Sequence, residues 1–304
     1  MFKKKLNTVS VIIPTYNRWP YVCSAIDSVL HQSYDYTECI VVDDASNDDT
    51  PSLLSDKYGS KIKIISQNVN QGQSVCRNIG AEESKSDCIC FLDSDDIFYP
   101  QAVEERVSLL NDKSNQVRAS FGLFRKSASK NHSLLNKKKR GEVLLLEEYL
   151  QNKNWCNNNG FLIYRDNFLQ DGLYNPLLRN KEDIELLLRL LSKHDFRYCG
   201  VEIGMVRNIS DGKRARNDYN NIVNQVYLFT KIVSANPQLR KIISNSNLNN
   251  LICSDAEETL RALYKLGRYT EFRSFYKLTK QNKHILNTKR FFKRYIFSYI
   301  RQIF

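Results

Sequence analysis

The most informative segment of the chain is Cys88-Ile89-Cys90-Phe91-Leu92-Asp93-Ser94-Asp95-Asp96, an apolar run that ends in three carboxylates. A short apolar run predicts a buried strand. The acids that follow concentrate negative charge, which is costly unless a cation neutralises it. Mg²⁺ and Mn²⁺ prefer carboxylate oxygens and commonly keep positions open for phosphates. The segment therefore predicts a metal site, and the alternative is a solvated acidic turn that caps a helix beginning near Pro100.

Three similar apolar runs precede this segment, and a helical pattern follows each of the four. The predicted strands are 9–13, 39–42, 62–65 and 88–92, and the predicted helices are 21–30, 50–58, 74–84 and 100–110. Strands that are apolar throughout and separated by helices indicate a mostly parallel sheet covered on both faces. We therefore predict an α/β fold with an open, Rossmann-like sheet and a further strand at 160–164.

Polar segments follow all four predicted strands. They are residues 14–18, 43–48, 68–77 and 93–96, and two of them are acidic. In open α/β sheets, ligands bind beyond the carboxyl ends of the strands. These segments are therefore the expected ligand site.

The chain of 304 residues is long enough for two units, and its charge is divided unevenly between them. We predict an α/β domain over 1–217 and a helical region over 218–304, which carries +10 of the total net charge of +12. Such a basic region suits nucleic acid, an anionic lipid surface or an acidic partner. The eight cysteines form no CxxC pair, which indicates reduced packing residues and argues against a zinc site or disulfides. With no secretory segment and no apolar stretch of membrane-spanning length, the expected location is the cytosol.

Residues 289–303 combine an apolar stripe with basic side chains. The stripe consists of Phe291, Phe292, Tyr295, Ile296, Tyr299, Ile300 and Ile303, and the basic residues are Lys289, Arg290, Lys293, Arg294 and Arg301. This is the pattern of a helix that lies in a membrane interface, where each basic residue near anionic lipid contributes about 1 kcal/mol. We predict peripheral attachment to the inner face of the cytoplasmic membrane, and the alternative is a terminal helix packed on its own domain.

Four motifs taken together resemble family 2 glycosyltransferases: VSVIIPTYNR at 9–18, IVVDDASNDDT at 40–50, NQGQSVCRNIG at 70–80 and LDSDD at 92–96. The resemblance covers about the first 215 residues. It implies a GT-A fold, a nucleotide-sugar donor, a divalent cation (Mn²⁺ or Mg²⁺) and inversion at the anomeric carbon. It also implies a glycan or lipid-linked acceptor in surface polysaccharide synthesis, with no nucleic acid as partner, and nothing in the sequence opposes an oligomer.

By that resemblance, one set of residues binds the donor: Pro14, Thr15, Tyr16, Asp44, Asn70, Gly72, Arg77, Asp93 and Ser94. The Asp44 carboxylate is expected to accept a hydrogen bond from the N3–H of uracil, and the alternative is an acid that pairs with backbone N–H groups at a helix N-terminus. Asp43 is expected to support the same loop. Arg77 is expected to reach a nucleotide oxygen, unless it is an ordinary surface residue of a helix.

The resemblance also assigns roles to the acids of 93–96. Asp93 corresponds to the residue that contacts ribose or helps to hold the metal, and Asp95 corresponds to the carboxylate that ligates the cation on the diphosphate. Asp96 is expected to cap the following turn. A cation at this point offsets the charge that builds on the leaving nucleoside diphosphate.

A second acid pair, Glu182 and Asp183, begins an amphipathic helix after a loop. Acids are common in a first helical turn because they favour the positive end of the dipole, and this is the simpler explanation for the pair alone. Within the family, Asp183 matches the general base that takes a proton from the acceptor hydroxyl, and Glu182 supports the base or the acceptor. Further on, Arg214 or Arg216 is expected to face the diphosphate where many relatives carry a histidine, with a plain basic linker as the alternative.

Two other functions fit part of the sequence. A sugar-phosphate nucleotidyltransferase also uses an open α/β sheet and a carboxylate-held metal, but residues 14–18 lack the Gly-rich phosphate loop expected of that class. A non-catalytic protein that binds nucleic acid or lipid would explain the basic tail, but it leaves the four polar strand ends without a role.

Overall fold

The computed structural model describes residues 7–110, 117–126, 138–151 and 156–207, and in the C-terminal part it describes 225, 228–229, 231–233, 235–242, 253, 256–257, 259–261, 263–281 and 288–301. The chain divides into two compact units, Met1–Ser210 and Asp211–Phe304. The predicted boundary after residue 217 lies outside the described residues.

An eight-stranded sheet forms the centre of the first unit, with the strand order β3-β2-β1-β4-β7-β6-β8-β5. Its strands are β1 Val9–Thr15, β2 Thr37–Asp43, β3 Lys63–Ser66, β4 Cys88–Phe91, β5 Asp96–Phe98, β6 Ala119–Lys126, β7 Phe161–Tyr164 and β8 Phe196–Val206. The helices are α1 Tyr21–Leu30, α2 Thr50–Tyr58, α3 Gln73–Glu83, α4 Ala102–Leu110, α5 Leu146–Gln151, α6 Arg165–Asp171 and α7 Glu182–Leu191. The predicted α/β fold class and the four predicted strand–helix units are confirmed.

The first half of the sheet, β3-β2-β1-β4, is parallel throughout. Its register pairs Thr15 at the end of β1 with Asp43 at the end of β2, and it pairs Ile12 with Phe91 of β4. The segments after these three strands therefore leave the sheet at one edge. Helix α3 packs so close to this half that a Cβ on Gly80 would come within 2.4 Å of the Ile12 side chain. This contact fixes the helix that carries Arg77 against the sheet.

The second half of the sheet is mixed. β7 pairs antiparallel with β4 and β6, β6 pairs parallel with β8, and β8 pairs antiparallel with β5. The strand predicted at 160–164 is β7, whereas the sequence pattern predicts none of β5, β6 and β8. β8 contains Gly200 and Gly204, and its register with β6 shifts at Leu123. Glycines and bulges break the alternation of side chains on which a strand prediction depends.

The described helices of the second unit are α8 Pro237–Ile242, α9 Tyr269–Gln281 and α10 Thr288–Ile300. An apolar cluster joins α9 to α10 and consists of Ala256, Leu260, Leu263, Phe272, Phe275, Tyr276 and Phe291. The predicted stripe of α10 is thus divided: Phe291 is buried, whereas Phe292, Ile296 and Tyr299 are about half exposed. Ile303 lies outside the described residues. Within the described ranges, every helix is too short or too polar to cross a bilayer.

Candidate active site

The turn between β4 and β5 carries Asp93, Asp95 and Asp96, and we call residues 93–96 the acid loop. The Asp96 N–H donates to the Asp93 carbonyl oxygen over 3.0 Å. Carboxylate oxygens of the three acids lie within 4.8 Å of one another. The structure therefore brings the two predicted metal ligands, Asp93 and Asp95, together. The prediction that Asp96 caps the following turn is wrong, because Asp96 is a buried residue that begins β5.

Asn159, which lies just before β7, holds the acid loop from one side. Its Oδ1 accepts a hydrogen bond from the Asp93 N–H (2.9 Å), and its Nδ2 donates to the Asp96 carboxylate (2.6 Å). The Asn159 side chain is 1% exposed. Sequence reasoning missed this residue, and the only local signal for it is the run of three asparagines at 157–159.

Arg207, which follows β8 directly, holds the acid loop from the other side. Its backbone N–H donates to the second oxygen of the Asp96 carboxylate (3.1 Å). Its guanidinium donates to the carbonyl oxygens of Asp95 (2.8 Å) and Ser94 (3.4 Å). Both oxygens of Asp96 are therefore engaged by protein donors. Sequence reasoning assigned no role to Arg207, because β8 itself was not predicted.

Arg77 of α3 joins the acid loop to the second acid pair. It is 1% exposed, so the alternative of an ordinary surface residue is wrong. Its Nη2 donates to Asp93 Oδ1 (2.6 Å), and its Nη1 donates to Glu182 Oε1 (3.2 Å). Burial alone favours the neutral form, but the neighbouring Asp93, Tyr174 and Glu182 outweigh it and raise the pKa of Arg77. Arg77 is therefore a permanent buried cation between two carboxylates.

Asp44 organises the loop that follows β3. Its carboxylate accepts hydrogen bonds from the backbone N–H groups of Gln71 and Gly72, each at 2.8 Å, and Asn70 donates to its carbonyl oxygen (3.2 Å). Asp44 thus makes the backbone pairing considered as the alternative role for it. A carboxylate has about four lone-pair sites, so two N–H donors leave capacity for a further donor. The contact with uracil stays a prediction.

The ends of β1 and β2 border this loop. Thr15 is buried, and within the described part of the chain its hydroxyl oxygen has no hydrogen-bond partner. Tyr16 is 41% exposed, so it is accessible to a ligand. Asp43 accepts hydrogen bonds from the backbone N–H and the hydroxyl of Ser46, which matches its predicted supporting role. Burial raises the pKa of Asp43. Pro14 lies in β1 beside Val42, so its role in a base pocket stays a prediction.

Helix α7 begins with the second acid pair, as predicted. Glu182 is buried and accepts hydrogen bonds from Gln73 Nε2 and Arg77 Nη1. Burial, together with the charge of Asp183, raises the pKa of Glu182 to about 7 against the opposing effect of Arg77. Asp183 is half-buried, accepts the Ile184 N–H (2.8 Å), and has a pKa raised by desolvation. A carboxylate whose pKa lies closer to neutrality is a stronger proton acceptor.

One cation near the loop that follows β3 was missed by sequence reasoning. Arg179 precedes α7, is exposed, and donates from Nη1 to Asn70 Oδ1 (3.3 Å). The same atom lies 2.9 Å from the point where a Cβ on Gly72 would be, and Gly72 has a φ of 93°. Only glycine fits this position without strain. The predicted diphosphate contacts, Arg214 and Arg216, lie outside the described residues.

A divalent cation fits the acid loop through two of its three acids. Hard cations take oxygen ligands, and the loop supplies three carboxylates close together. Asp96 is less suited than Asp93 and Asp95, because it is buried and one oxygen already accepts a hydrogen bond from Asn159 and the other from Arg207. Asp93 bonds Arg77 through one oxygen, and a carboxylate has two. The residues present therefore fit Mn²⁺ or Mg²⁺ held by Asp95 and Asp93.

The chain belongs to glycosyl transferase family 2, whose family model matches residues 10–172, more than half of the chain. The matched range contains the acid loop and Asn159, and it ends before Glu182 and Asp183. It is shorter than the 215 or so residues that the motifs suggested.

Several proteins named as glycosyltransferases are similar to the chain. An uncharacterized glycosyltransferase from Haemophilus influenzae is 27% identical over 188 residues, which cover 62% of this chain and 63% of the relative. An uncharacterized glycosyltransferase from Rickettsia prowazekii is 36% identical over 41% of this chain and 39% of its own length. The putative teichuronic acid biosynthesis glycosyltransferase TuaG of Bacillus subtilis is 35% identical over 35% of this chain and 43% of its own length. The matched part of the chain spans less than two thirds of each of these relatives.

Solved structures with low sequence identity share the fold. The 1–349 fragment of Staphylococcus aureus TarS in complex with UDP-GlcNAc has a TM-score of 0.63 at 16% identity, over 96% of this chain and 79% of the fragment. A mannosyltransferase from Pyrobaculum calidifontis in complex with GDP-Man and Mn²⁺ has a TM-score of 0.58 at 15% identity, over 99% of this chain and 88% of that one. The predicted fold class, a mostly parallel α/β sheet of GT-A type, is thereby confirmed.

Proposed function

We propose that the chain is an inverting, metal-dependent glycosyltransferase that moves a sugar from a nucleotide-sugar, in particular a UDP-sugar, to a hydroxyl group of a glycan or lipid-linked acceptor. The observation that carries this proposal is the linkage of the acid loop to Glu182 through the buried Arg77 guanidinium. This linkage places the acid loop close to the start of α7, where Asp183 lies. The carboxylates of the loop suit a cation, and that cation would in turn bind a diphosphate. Membership of glycosyl transferase family 2 supports the reaction class.

The proposed donor site is the carboxyl edge of β1, β2 and β4. Asp44 and the backbone of 70–72 form one wall, and Thr15 offers a buried hydroxyl to the ligand. A carboxylate that faces the N3–H of uracil discriminates against bases that lack this donor. The complex of TarS with UDP-GlcNAc supports a uridine nucleotide, and the complex of the mannosyltransferase with GDP-Man supports a nucleotide-sugar in general.

Asp95 and Asp93 are the proposed ligands of Mn²⁺ or Mg²⁺. When bound, the ion supplies positive charge that offsets the charge building on the leaving nucleoside diphosphate. The chain itself contributes a preorganised loop. Arg77 orients Asp93, and Asn159 and Arg207 fix the turn on either side. Little reorganisation is then needed when the donor binds.

Asp183 is the proposed general base. An acceptor oxygen attacks the anomeric carbon from the face opposite the diphosphate, and its proton passes to an Asp183 carboxylate oxygen. The bond between the anomeric carbon and the diphosphate oxygen breaks in the same displacement, so the configuration inverts. Burial raises the pKa of Asp183 and thereby its strength as a base. Glu182, bonded to Gln73 and Arg77, fixes the helix turn from which Asp183 projects.

A donor screen tests the reaction. The purified protein is incubated with Mn²⁺ and a panel of UDP- and dTDP-sugars, and the release of nucleoside diphosphate is measured. We expect slow hydrolysis of one or a few donors and its loss in Asp95→Asn. With a transferable acceptor, the anomeric configuration of the product by NMR should be opposite to that of the donor. Absence of release from every donor contradicts the proposed activity, and a retained configuration contradicts inversion.

The acceptor class is proposed to be a surface polysaccharide or its lipid-linked precursor. The similarity to TuaG, whose name refers to teichuronic acid biosynthesis, supports this class. An acceptor built on a lipid would bring the enzyme to a membrane, and α10 has the features of a membrane-binding helix.

We also propose that α10 attaches the protein to the inner face of the cytoplasmic membrane. Phe292, Ile296 and Phe297 are each about half exposed, and the neighbouring Lys289 and Lys293 are exposed. A helix that exposes large apolar side chains beside cations binds anionic lipid. Burial of Phe291 in the helical cluster holds the opposite side of α10 against its own unit.

Sedimentation with liposomes tests this attachment. We expect binding to vesicles of phosphatidylglycerol, weaker binding to phosphatidylcholine, and loss of binding in the triple variant Phe292→Ser, Ile296→Ser and Phe297→Ser. Leu266→Ser is the matched control, because Leu266 is 50% exposed but lies outside α10. Equal binding of the triple variant and the wild type would refute the attachment.

A further inference from the structure

We propose that Asn159 is a positioning residue that sets the geometry of the acid loop for its cation, and that Asp96 is its hydrogen-bonding partner and not a metal ligand. This proposal rests on the proposed function, because it concerns the same cation. It assigns a role to a residue outside the acid loop and explains why Asp96 is not among the proposed ligands.

The first argument is the reach of the Asn159 side chain. One amide group bonds two points of the acid loop that are three residues apart, the Asp93 N–H at 2.9 Å and the Asp96 carboxylate at 2.6 Å. Asp95 lies between these two points in the chain. The path of the backbone between Asp93 and Asp96 is therefore fixed, and with it the separation of the Asp93 and Asp95 side chains.

The second argument is that the Asn159 amide is itself rigid. Its side chain is buried, and its backbone carbonyl oxygen accepts a hydrogen bond from the fully buried Arg106 (3.3 Å). Arg106 also donates to the Phe161 carbonyl oxygen in β7 (3.2 Å). Asn159 is thus attached to the sheet and can transmit that rigidity to the acid loop.

The third argument is that Asp96 is buried and that protein donors already orient both of its oxygens. Its two carboxylate oxygens accept hydrogen bonds from Asn159 Nδ2 and from the Arg207 N–H. A metal ion would have to reach a buried carboxylate and share an oxygen with a protein donor, whereas Asp93 and Asp95 are only partly buried. Groups that orient metal ligands without contacting the metal typically change its affinity 10- to 100-fold when they are mutated.

The hydrogen-bond directions allow an exchange experiment. In the wild type, Asn159 donates to Asp96, accepts from the Asp93 N–H, and leaves Arg207 to donate to the second Asp96 oxygen. If Asp96→Asn and Asn159→Asp are combined, the amide at position 96 can donate to the carboxylate at position 159. The bonds from the Asp93 and Arg207 N–H groups are kept. Total charge is unchanged, and only the direction of one hydrogen bond is reversed.

The experiment measures the Mn²⁺ affinity by calorimetry in the presence of UDP for the wild type, both single variants and the double variant. We expect each single variant to bind Mn²⁺ about 10- to 100-fold more weakly and the double variant to return to within about threefold of the wild type. UDP affinity in EDTA should be equal in all four proteins, because the substitutions are expected to affect only the cation. A defect in folding would instead weaken UDP binding in EDTA as well. Asn167→Asp is the matched control, because it makes the same substitution as Asn159→Asp at a position on α6, outside the acid loop.

Two results overturn the proposal. If the double variant binds Mn²⁺ as weakly as Asp96→Asn alone, Asp96 acts as a ligand. If Asn159→Asp binds as tightly as the wild type, Asn159 does not position the loop. A single variant that fails to fold while the double variant folds and binds supports the exchange, and a double variant that is unfolded in EDTA contradicts it. If the wild type itself binds no Mn²⁺ with UDP, the proposed function fails, which is a separate outcome.

Discussion

The parallel half of the sheet, β3-β2-β1-β4, presents the acid loop, whereas the mixed half, β7-β6-β8-β5, carries most of the groups that hold it. Asp93 and Asp95 lie just after the end of β4, as expected for a ligand site beyond parallel strand ends. Asn159 precedes β7, and Arg207 follows β8. The second acid pair begins α7, between these strands in the chain. The acids alone therefore predict only part of this site, because most of the groups that fix their geometry come from the mixed half of the sheet.

The largest expected effect is the loss of turnover when the proposed general base, Asp183, is replaced. Asp183→Asn should lower turnover by about 10²- to 10⁴-fold, because proton transfer to a positioned side chain typically contributes that much. UDP affinity should stay near the wild-type value. The measurements are product formation and UDP titration on the same preparation. Asp166→Asn, at an exposed position on α6, is the control and should leave turnover unchanged. Full activity of Asp183→Asn would show that Asp183 is not the general base.

Arg77→Met should have the next largest effect, because Arg77 is the link between the two acid groups. Its removal leaves Asp93 and Glu182 without their buried cation, and breaking a buried pair in this way typically costs about 3–5 kcal/mol. The free energy of unfolding is measured in urea. Lys85→Met, at an exposed position after α3, should change it by less than about 0.5 kcal/mol. A loss at Arg77 no larger than at Lys85 would mean that the two halves are not coupled through this residue.

Gly80→Ala tests the packing of the parallel half alone. The added Cβ would meet the Ile12 side chain at 2.4 Å, and overpacking of this kind costs about 1–3 kcal/mol. The difference between Glu82→Gly and Glu82→Ala, at an exposed position on the same helix, is the control for the change in helix propensity. Stability is compared by urea unfolding. An unchanged stability in Gly80→Ala would show that α3 is free to move away from β1.

The last expected effect concerns the pH dependence of stability at Glu182. Burial raises the pKa of Glu182 from 4.5 to about 7, so the folded protein holds a proton that the unfolded chain has already released in this range. The resulting stabilisation is complete below about pH 4.5 and is lost as the pH rises through about 7. In Glu182→Gln the part of this loss that comes from Glu182 should be absent, whereas the part that comes from the raised pKa of Asp183 should remain. Urea unfolding of both proteins at pH 5, 6, 7 and 8 measures it, and parallel pH profiles for the two proteins would contradict the burial of an ionisable group at this position.

The same contrast explains what the sequence could predict. The apolar runs of β1, β2 and β4 carry a strong pattern, and chain topology alone then brings Asp44 and the acid loop to one edge. The sequence identified Arg77 as a site residue but could not predict its contacts. Its position in a helix does not reveal that it is buried against Asp93 and Glu182.

The mixed half carries weaker signals. The glycines of β8 and the shift in its register with β6 obscure the strand that positions Arg207. The bond between Asn159 and Asp96 joins residues 63 positions apart in sequence, and it follows only from strand pairing. For the same reason Asp96 was given a local capping role, whereas its actual partners are distant.

The most direct test of the account is the binding of UDP with and without Mn²⁺. Calorimetry on the wild-type protein should detect UDP binding in the presence of Mn²⁺ and much weaker binding in EDTA, because the acid loop would hold the cation that contacts the diphosphate. Asp95→Asn should abolish this difference between Mn²⁺ and EDTA. Equal UDP affinity with Mn²⁺ and with EDTA, or an undiminished Mn²⁺ effect in Asp95→Asn, would contradict the account.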